Sequence, residues 1–253
     1  MNFDISHVLD QWEYQAGDIV VRKFTGKDGQ EKIQLRVDLG LLQMNASGRP
    51  DGKQPFGHDT LLEHYLAKLA KYRQKHDGSD DAFKLSAEEC ARLQQEAIQF
   101  HHRYICLFQL KDYAGVVRDT ERNLKVFDLV QQYAESEELA WSLQQLRPQL
   151  LMMQIRAQGS QALEAGQYEE AIGAVEQGLE KIRAYYREHA HPDMAEHSGE
   201  VQSLEMWLHE IKSTRPLSER EKLENALKDA VRREDYERAA KVRDSLRNLN
   251  TSQ

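Results

Sequence analysis

The stretch Leu217–Leu249, LSEREKLENALKDAVRREDYERAAKVRDSLRNL, reads as two helices joined by a short turn. Ser218 and Glu221 follow Pro216 at the spacing of a capping box, in which a serine oxygen and a carboxylate satisfy amides that a helix start leaves open. Leu223, Ala226, Leu227, Ala230 and Val231 then recur at the i, i+3, i+4 steps of one helical face. An acidic-aromatic turn follows (Glu234, Asp235, Tyr236, Glu237), and Tyr236, Ala239, Ala240, Val242, Leu246 and Leu249 form a second stripe. Small alanines opposite large leucines let two antiparallel helices approach closely, so Tyr236, Ala239 and Ala240 are expected in the helix contact. A hairpin this small needs a further surface, supplied by this chain or by another protein.

Upstream, the same texture continues. Ser86 and Glu89 form another capping box before the stripe Cys90, Leu93, Ala97, Phe100, Tyr104 and Leu107. After Lys111-Asp112 come Tyr113, Val116, Val117, Thr120, Leu124, Phe127 and Val130, which predicts an antiparallel partner helix. A long helical stretch from about Ser136 to Met152 should be kinked or divided at Pro148. The segment from Gly159 to Ile172, GSQALEAGQYEEAI, repeats the hairpin, with a turn at Gly166, an aromatic at Tyr168 and an alanine at Ala171. Val201, Leu204, Leu208 and Ile211, with Trp207, provide a further stripe.

These motifs carry two resemblances. Gly159, Gly166, Tyr168, Ala171, Gly178 and Leu179 make the centre similar to a tetratricopeptide repeat, although Gln158 stands where a leucine is usual. Tyr113 and Tyr168 occupy equivalent places farther apart than that repeat's period, which implies a tetratricopeptide-like bundle rather than a regular array. The C-terminal hairpin resembles the UVR motif of bacterial excision-repair proteins. That resemblance implies a bacterial source and a docking element carried by Leu223, Leu227, Tyr236, Ala239, Ala240, Arg243, Asp244 and Leu246. It also implies a protein partner, with another UVR-containing protein among the candidates, and weak self-association. The nuclease, unfoldase and kinase-activator relatives of the motif carry Walker, ATPase or CxxC elements that this sequence lacks.

Toward the N-terminus the pattern changes. Asp18–Phe24 and Glu31–Met44 flank TGKDGQ and predict a β-hairpin whose second strand alternates Ile33, Leu35, Val37, Leu39 and Leu41 with polar residues and glycine. A lone hairpin is marginal in water, so its apolar face should lie on helices or further strands. Thr60 and Glu63 then start a helix bearing Leu61, Leu62, Tyr65, Leu66, Leu69 and Tyr72, and His76–Asp81 is the expected linker. The expected architecture is mainly α, with an N-terminal α+β region over 1–80, a tetratricopeptide-like helical region over 86–214 and a UVR helical hairpin over 216–250.

Charge and motifs limit the chemistry. The net charge of -8 argues against a dedicated nucleic-acid surface, and over 217–250 nine Lys/Arg against eight Asp/Glu leave only +1. No apolar run suits a membrane span, and the opening MNFDISHVLDQW lacks signal-peptide character, so a cytoplasmic location is expected. Cys90 and Cys106 read as packing residues. Gly48–Gln54, GRPDGKQ, is one residue short of a phosphate loop and places Gln54 where a metal-binding hydroxyl is needed, so it reads as a surface turn. His189, His191 and His197 near Asp193 and Glu196 lack the cysteines or rigid spacing of a structural zinc site. His101 and His102 point apart on a helix, and His58 and His64 flank a helix start.

No nucleophile elbow, HExxH or dinucleotide fingerprint occurs. No cofactor, metal or catalytic residue is assigned. The expected function is a non-catalytic protein-protein adaptor. The alternatives are an accessory factor in bacterial nucleotide excision repair and an enzyme with a site in the N-terminal region, where Arg36 and Asp38 are the candidate polar pair.

Overall fold

The computed structural model describes residues 4–15, 17–189, 193–217 and 219–251. The chain divides into two compact units, Met1–Leu208 and His209–Gln253. The first contains α1 (Ser6–Leu9), an antiparallel sheet of β1 (Val20–Thr25), β2 (Glu31–Val37) and β3 (Gly40–Asn45), and then α2 (Leu61–Lys75), α3 (Ala87–Gln109) and α4 (Tyr113–Tyr133). α5 (Glu137–Gln144), α6 (Arg147–Glu164), α7 (Tyr168–Glu188), α8 (Met194–His197) and α9 (Gly199–Thr214) follow. The last helices are α10 (Glu219–Arg232) and α11 (Tyr236–Thr251).

The expected β-hairpin is a three-stranded meander. Glu31–Met44 is not one strand: it turns back at Asp38-Leu39, bringing Val37 opposite Gly40. The alternation of Ile33 to Leu41 runs unbroken through that turn, which hid it. Leu39, expected on the apolar face, sits at the tip and is 95% exposed. Ile33 and Met44 face each other across β2 and β3 and enter the core. On the other face Arg22 donates to Gln34 at 2.7 Å and Gln34 donates to Gln43 at 2.8 Å, a polar ladder across all three strands.

The sheet and the helices share one core. Ile33 and Met44 belong to the same buried cluster as Tyr65 and Leu69 of α2, Leu93 and Leu107 of α3, Val126 of α4 and Leu150 of α6. The boundary expected near residue 80 therefore does not separate two cores. His76–Asp81, expected as a linker, is pinned in place: Tyr133 Oη donates to Asp80 at 2.7 Å and Arg73 Nε donates to the same carboxylate at 2.8 Å. Leu85 then exchanges backbone hydrogen bonds with Tyr133 and Glu135.

Local signals act as expected at several helix ends. The Ser86–Glu89 capping box is fully formed, and Thr60 accepts from the Glu63 amide at 3.2 Å. Pro148 lies in the first turn of α6, where a missing amide costs nothing, and the long stretch is divided just before it. Gly178 of α7 lies directly under Ile155 of α6, and Gly159 lies under the Trp207 ring, so a Cβ at either position would collide with a large side chain. Helical hairpins are thus present through the centre. Cys90 and Cys106 are free and buried, and burial raises their thiol pKa values to about 11 and about 12.

Candidate interaction hairpin

α10 and α11 pack as an antiparallel pair around Ala230 and Ala239, both buried. Their turn ends α10 in a Schellman arrangement: the Asp235 amide reaches back to Ala230 O at 2.9 Å, and the Glu234 amide reaches Val231 O at 3.0 Å. Glu234 takes a left-handed backbone with φ 59°. Asp235 then caps α11 by accepting from the Arg238 amide at 3.1 Å. Ser218 of the expected capping box and the Leu249 side chain lie outside the described residues.

The same turn joins the two larger hairpins. Between α3 and α4 the Asp112 amide donates to Leu107 O at 2.9 Å and the Lys111 amide to Phe108 O at 3.0 Å, with Lys111 at φ 59°. Between α6 and α7 the Gln167 amide donates to Ala162 O at 2.9 Å and the Gly166 amide to Leu163 O at 3.0 Å, with Gly166 at φ 74°. Each turn is followed by a tyrosine, Tyr113, Tyr168 or Tyr236, and three residues later by a buried Val116, Ala171 or Ala239.

The tyrosines differ in their surroundings. Tyr113 packs edge-on against Phe108, ring centroids 5.6 Å apart, and Tyr168 is half-buried. Tyr236 is 70% exposed and Val231, which stands where Phe108 and Leu163 stand in the other turns, is 53% exposed. The expectation that Tyr236 joins Ala239 and Ala240 in the helix contact is therefore corrected. Val231, smaller than the Phe108 that packs on Tyr113 and itself exposed, leaves the ring at the start of α11 in water, while Ala230 and Ala239 are buried. Leu223, Leu227, Ala240 and Leu246 are half-buried, while Arg243 and Asp244 are exposed and pair with each other at 3.2 Å.

A groove of about 400 Å³ runs along this hairpin, lined by Ala226 and Ala230 with Lys222, Asp229, Arg233, Asp235 and Arg238 around them. Many of the hairpin's charges are matched within a helix, as in Arg220–Glu224 at 2.8 Å, Asp229–Arg232 at 2.8 Å and Glu237–Lys241 at 2.9 Å. Such interleaving sets opposite charges side by side along each helix.

Of the other candidates, the N-terminal polar pair is brought together, whereas the described histidines form no shared metal site. Arg36 lies in β2 and Asp38 in the turn after it. Arg36 Nη1 donates to Gly40 O at 3.0 Å and to Asp38 O at 3.2 Å, its guanidinium lies 4.9 Å from the centre of the Tyr14 ring, and the Asp38 carboxylate accepts from Tyr14 Oη at 2.6 Å. That hydrogen bond raises the Tyr14 pKa. His189 stacks on Tyr185 at 4.2 Å, and His191 and Pro192 of the histidine loop lie outside the described residues. Among the described residues no three His, Cys, Asp or Glu side chains are placed to share a metal ion. His101 Nδ1 and Tyr104 Oη lie 2.6 Å apart, and burial holds both His101 and His102 below the usual imidazole pKa.

Sequence reading missed a buried ionic network. Arg103 of α3 is 1% exposed and grips Asp119 of α4 with two hydrogen bonds of 2.7 and 2.8 Å. Its remaining donors reach Asn45 O at 3.1 Å and Gly48 O at 2.7 Å. Beside it buried Glu96 pairs with Arg49 at 2.9 Å and with Arg122, and accepts from the Leu61 amide at 2.9 Å. Desolvation, helped by repulsion from Arg49, pushes the Arg122 guanidinium down to about 9. The Gly48–Gly52 turn, read as a surface turn, is thus clamped to α3. The available signal was spacing, because Glu96 and Arg103 stand three residues after Leu93 and Phe100 on the buried face.

The family model described as the UvrB/uvrC motif matches residues 218–252, the segment that forms this hairpin. Neither a curated protein nor a solved structure gives a match to the chain. The motif points to a role in protein-protein or DNA-repair-related interaction. No helix among the described residues is long and apolar enough to cross a membrane.

Proposed function

We propose that the protein is a non-catalytic adaptor of the bacterial cytoplasm that holds a protein partner through its UVR hairpin, with the tetratricopeptide-like helical unit as its body. The observation that supports this reading most directly is the contrast between Tyr236 with Val231, left open to solvent, and the packed Phe108–Tyr113 pair at the same turn. Apolar side chains at such a place add affinity when a partner covers them. The charged groups around Ala226 and Ala230 would form the polar rim, setting partner choice more than strength. A second hairpin of this kind, on another UVR-bearing protein or on a second copy, would bring the same exposed Val231–Tyr236 pair and alternating charges to the groove.

Removal of residues from Pro216 onward tests the reading. The truncated chain is expected to melt cooperatively, while partners captured by the full chain from its host and identified by mass spectrometry disappear. Retained capture by the well-folded truncated chain would overturn the proposal. Weak self-association through the hairpin is read by sedimentation of both forms at high concentration.

The motif's description favours a second reading, an accessory role in nucleotide excision repair. If that role included contact with DNA, the purified chain would bind duplex or single strands with an affinity that falls steeply as salt rises. The paired charges on α10 and α11 predict no such binding.

A further inference from the structure

We propose that the cleft between α2 and residues 82–84 binds an extended acidic peptide segment of a partner protein. Lys68, Lys71 and Lys75 lie on one face of α2, and Lys84 projects from the segment opposite, so four ammonium groups surround an open cleft of about 510 Å³. All four are exposed. Lys68 is paired with Glu89 at 2.5 Å, whereas among the described residues no ion pair reaches Lys71, Lys75 or Lys84. In a chain of net charge -8, four lysines of which only Lys68 is ion-paired among the described residues make a local excess of positive charge.

The wall between the lysines is apolar. Tyr72 and Phe83 meet edge-on at 5.5 Å and line the cleft together with Ala82. The nearby acids are engaged: Glu89 with Lys68, Asp80 with Arg73 and Tyr133, and Asp81 with Ser79. The cleft therefore offers spaced positive points around a short apolar strip presented by half-buried Tyr72 and exposed Ala82, with the buried Phe83 ring behind them. An extended chain carrying carboxylates on one side and apolar residues on the other presents the complementary pattern at the two-residue alternation of a strand.

A single-stranded nucleic acid fits less well. Base binding in such grooves relies on open aromatic faces. Here Tyr72 is stacked by the His76 ring at 3.9 Å, and Phe83 is 4% exposed with its remaining edge against Tyr133. Lysine also lacks the planar fork that reads phosphate with two parallel bonds. The cleft belongs to the Met1–Leu208 unit, so it is independent of the UVR hairpin, and either proposal stands if the other fails.

The test uses the full-length protein and a short fluorescein-labelled peptide of alternating glutamate and leucine. Its glutamine counterpart and a labelled oligodeoxythymidylate of matching length serve as comparisons, with anisotropy as the readout. The acidic peptide is expected to bind, the glutamine peptide at least about tenfold more weakly, and added salt should lower the affinity. The triple variant Lys71→Glu, Lys75→Glu, Lys84→Glu should lose the acidic peptide by at least about tenfold while melting like the parent, because the three side chains are exposed and unpaired. If the variant is less stable, the milder Lys71→Gln, Lys75→Gln, Lys84→Gln set replaces it. Equal binding of both peptides, undiminished binding by a folded variant, or no salt-sensitive binding would overturn the proposal. Tighter binding of oligodeoxythymidylate that the variant abolishes would overturn it in favour of a nucleic-acid cleft.

Discussion

Between Leu163 and Ala171, and again between Val231 and Ala239, the backbone follows one path: the same two reverse hydrogen bonds, a left-handed residue, a capping position and a tyrosine. What surrounds the two paths is different. The α6–α7 hairpin fills its contact with Ile155, Ile172, Val175 and Leu179. The α10–α11 hairpin closes on Ala230 and Ala239 and leaves Val231 and Tyr236 outside. A turn is decided by a few local residues, whereas coverage depends on how much apolar volume the flanking helices carry. The hairpin at residues 218–252 has a built turn and an unfinished surface, which suits an element that completes itself on another molecule.

Four measurements would break or sharpen this contrast. The largest effect is expected where a hairpin encloses charge. Asp119→Ala strands Arg103 in the core and should cost about 3–5 kcal/mol in urea unfolding. Asp244→Ala, which removes an exposed partner of Arg243, should leave the midpoint unmoved. Comparable losses from both would erase the distinction between the hairpins.

Helix packing comes next. Gly178→Ala sets a methyl group against Ile155 and should cost about 1–3 kcal/mol. Gly173→Ala, on the same helix with open space beyond it, should instead gain up to about 1 kcal/mol from helix propensity. Equal signs in thermal melting would mean that α6 and α7 are not in close contact.

Turn conformation should give smaller, opposed changes. Gly166→Ala places a Cβ in a left-handed position and should cost about 1 kcal/mol, while Glu234→Gly relieves that strain and should gain about the same. Stabilisation by Gly166→Ala would contradict the shared turn.

A small effect on stability, within about 0.5 kcal/mol, is expected for Tyr236→Ala, because the ring is mostly in water. Partner capture is where this variant should fail. A large loss of stability with capture intact would place Tyr236 in the fold rather than in an interface.

Much of the helical frame could be read before any coordinates. Ser86 with Glu89 and Pro148 act through neighbours a few residues away, and their effects were located correctly. The UVR segment was legible for the same reason, since its turn and alanine pair are local. Long-range partners were not. Asp38-Leu39-Gly40 keeps the alternation of a strand while turning, and only the pairing of Val37 with Gly40 reveals it. Arg103 looks like a helix-surface cation until Asp119 and the Gly48 carbonyl are brought beside it. Tyr236 has the spacing of a buried residue, yet Val231 before its turn is too small to cover the ring as Phe108 covers Tyr113. The lysines of α2 read as ordinary solvated charge because Lys84 joins them only through the fold.

Arg103 has one more effect, on how the N-terminal unit opens. Its guanidinium supplies hydrogen bonds to the main chain at Asn45 and Gly48 as well as to Asp119. The end of β3 therefore cannot peel away without leaving a cation inside α3 and α4 with unfilled donors. Local fraying of the sheet is suppressed, and its amides should open only together with those of the helices. In native-state hydrogen exchange, Ile33 and Met44 should fall in the same slow cooperative group as Leu107 and Val126, although a small three-stranded sheet would ordinarily exchange first.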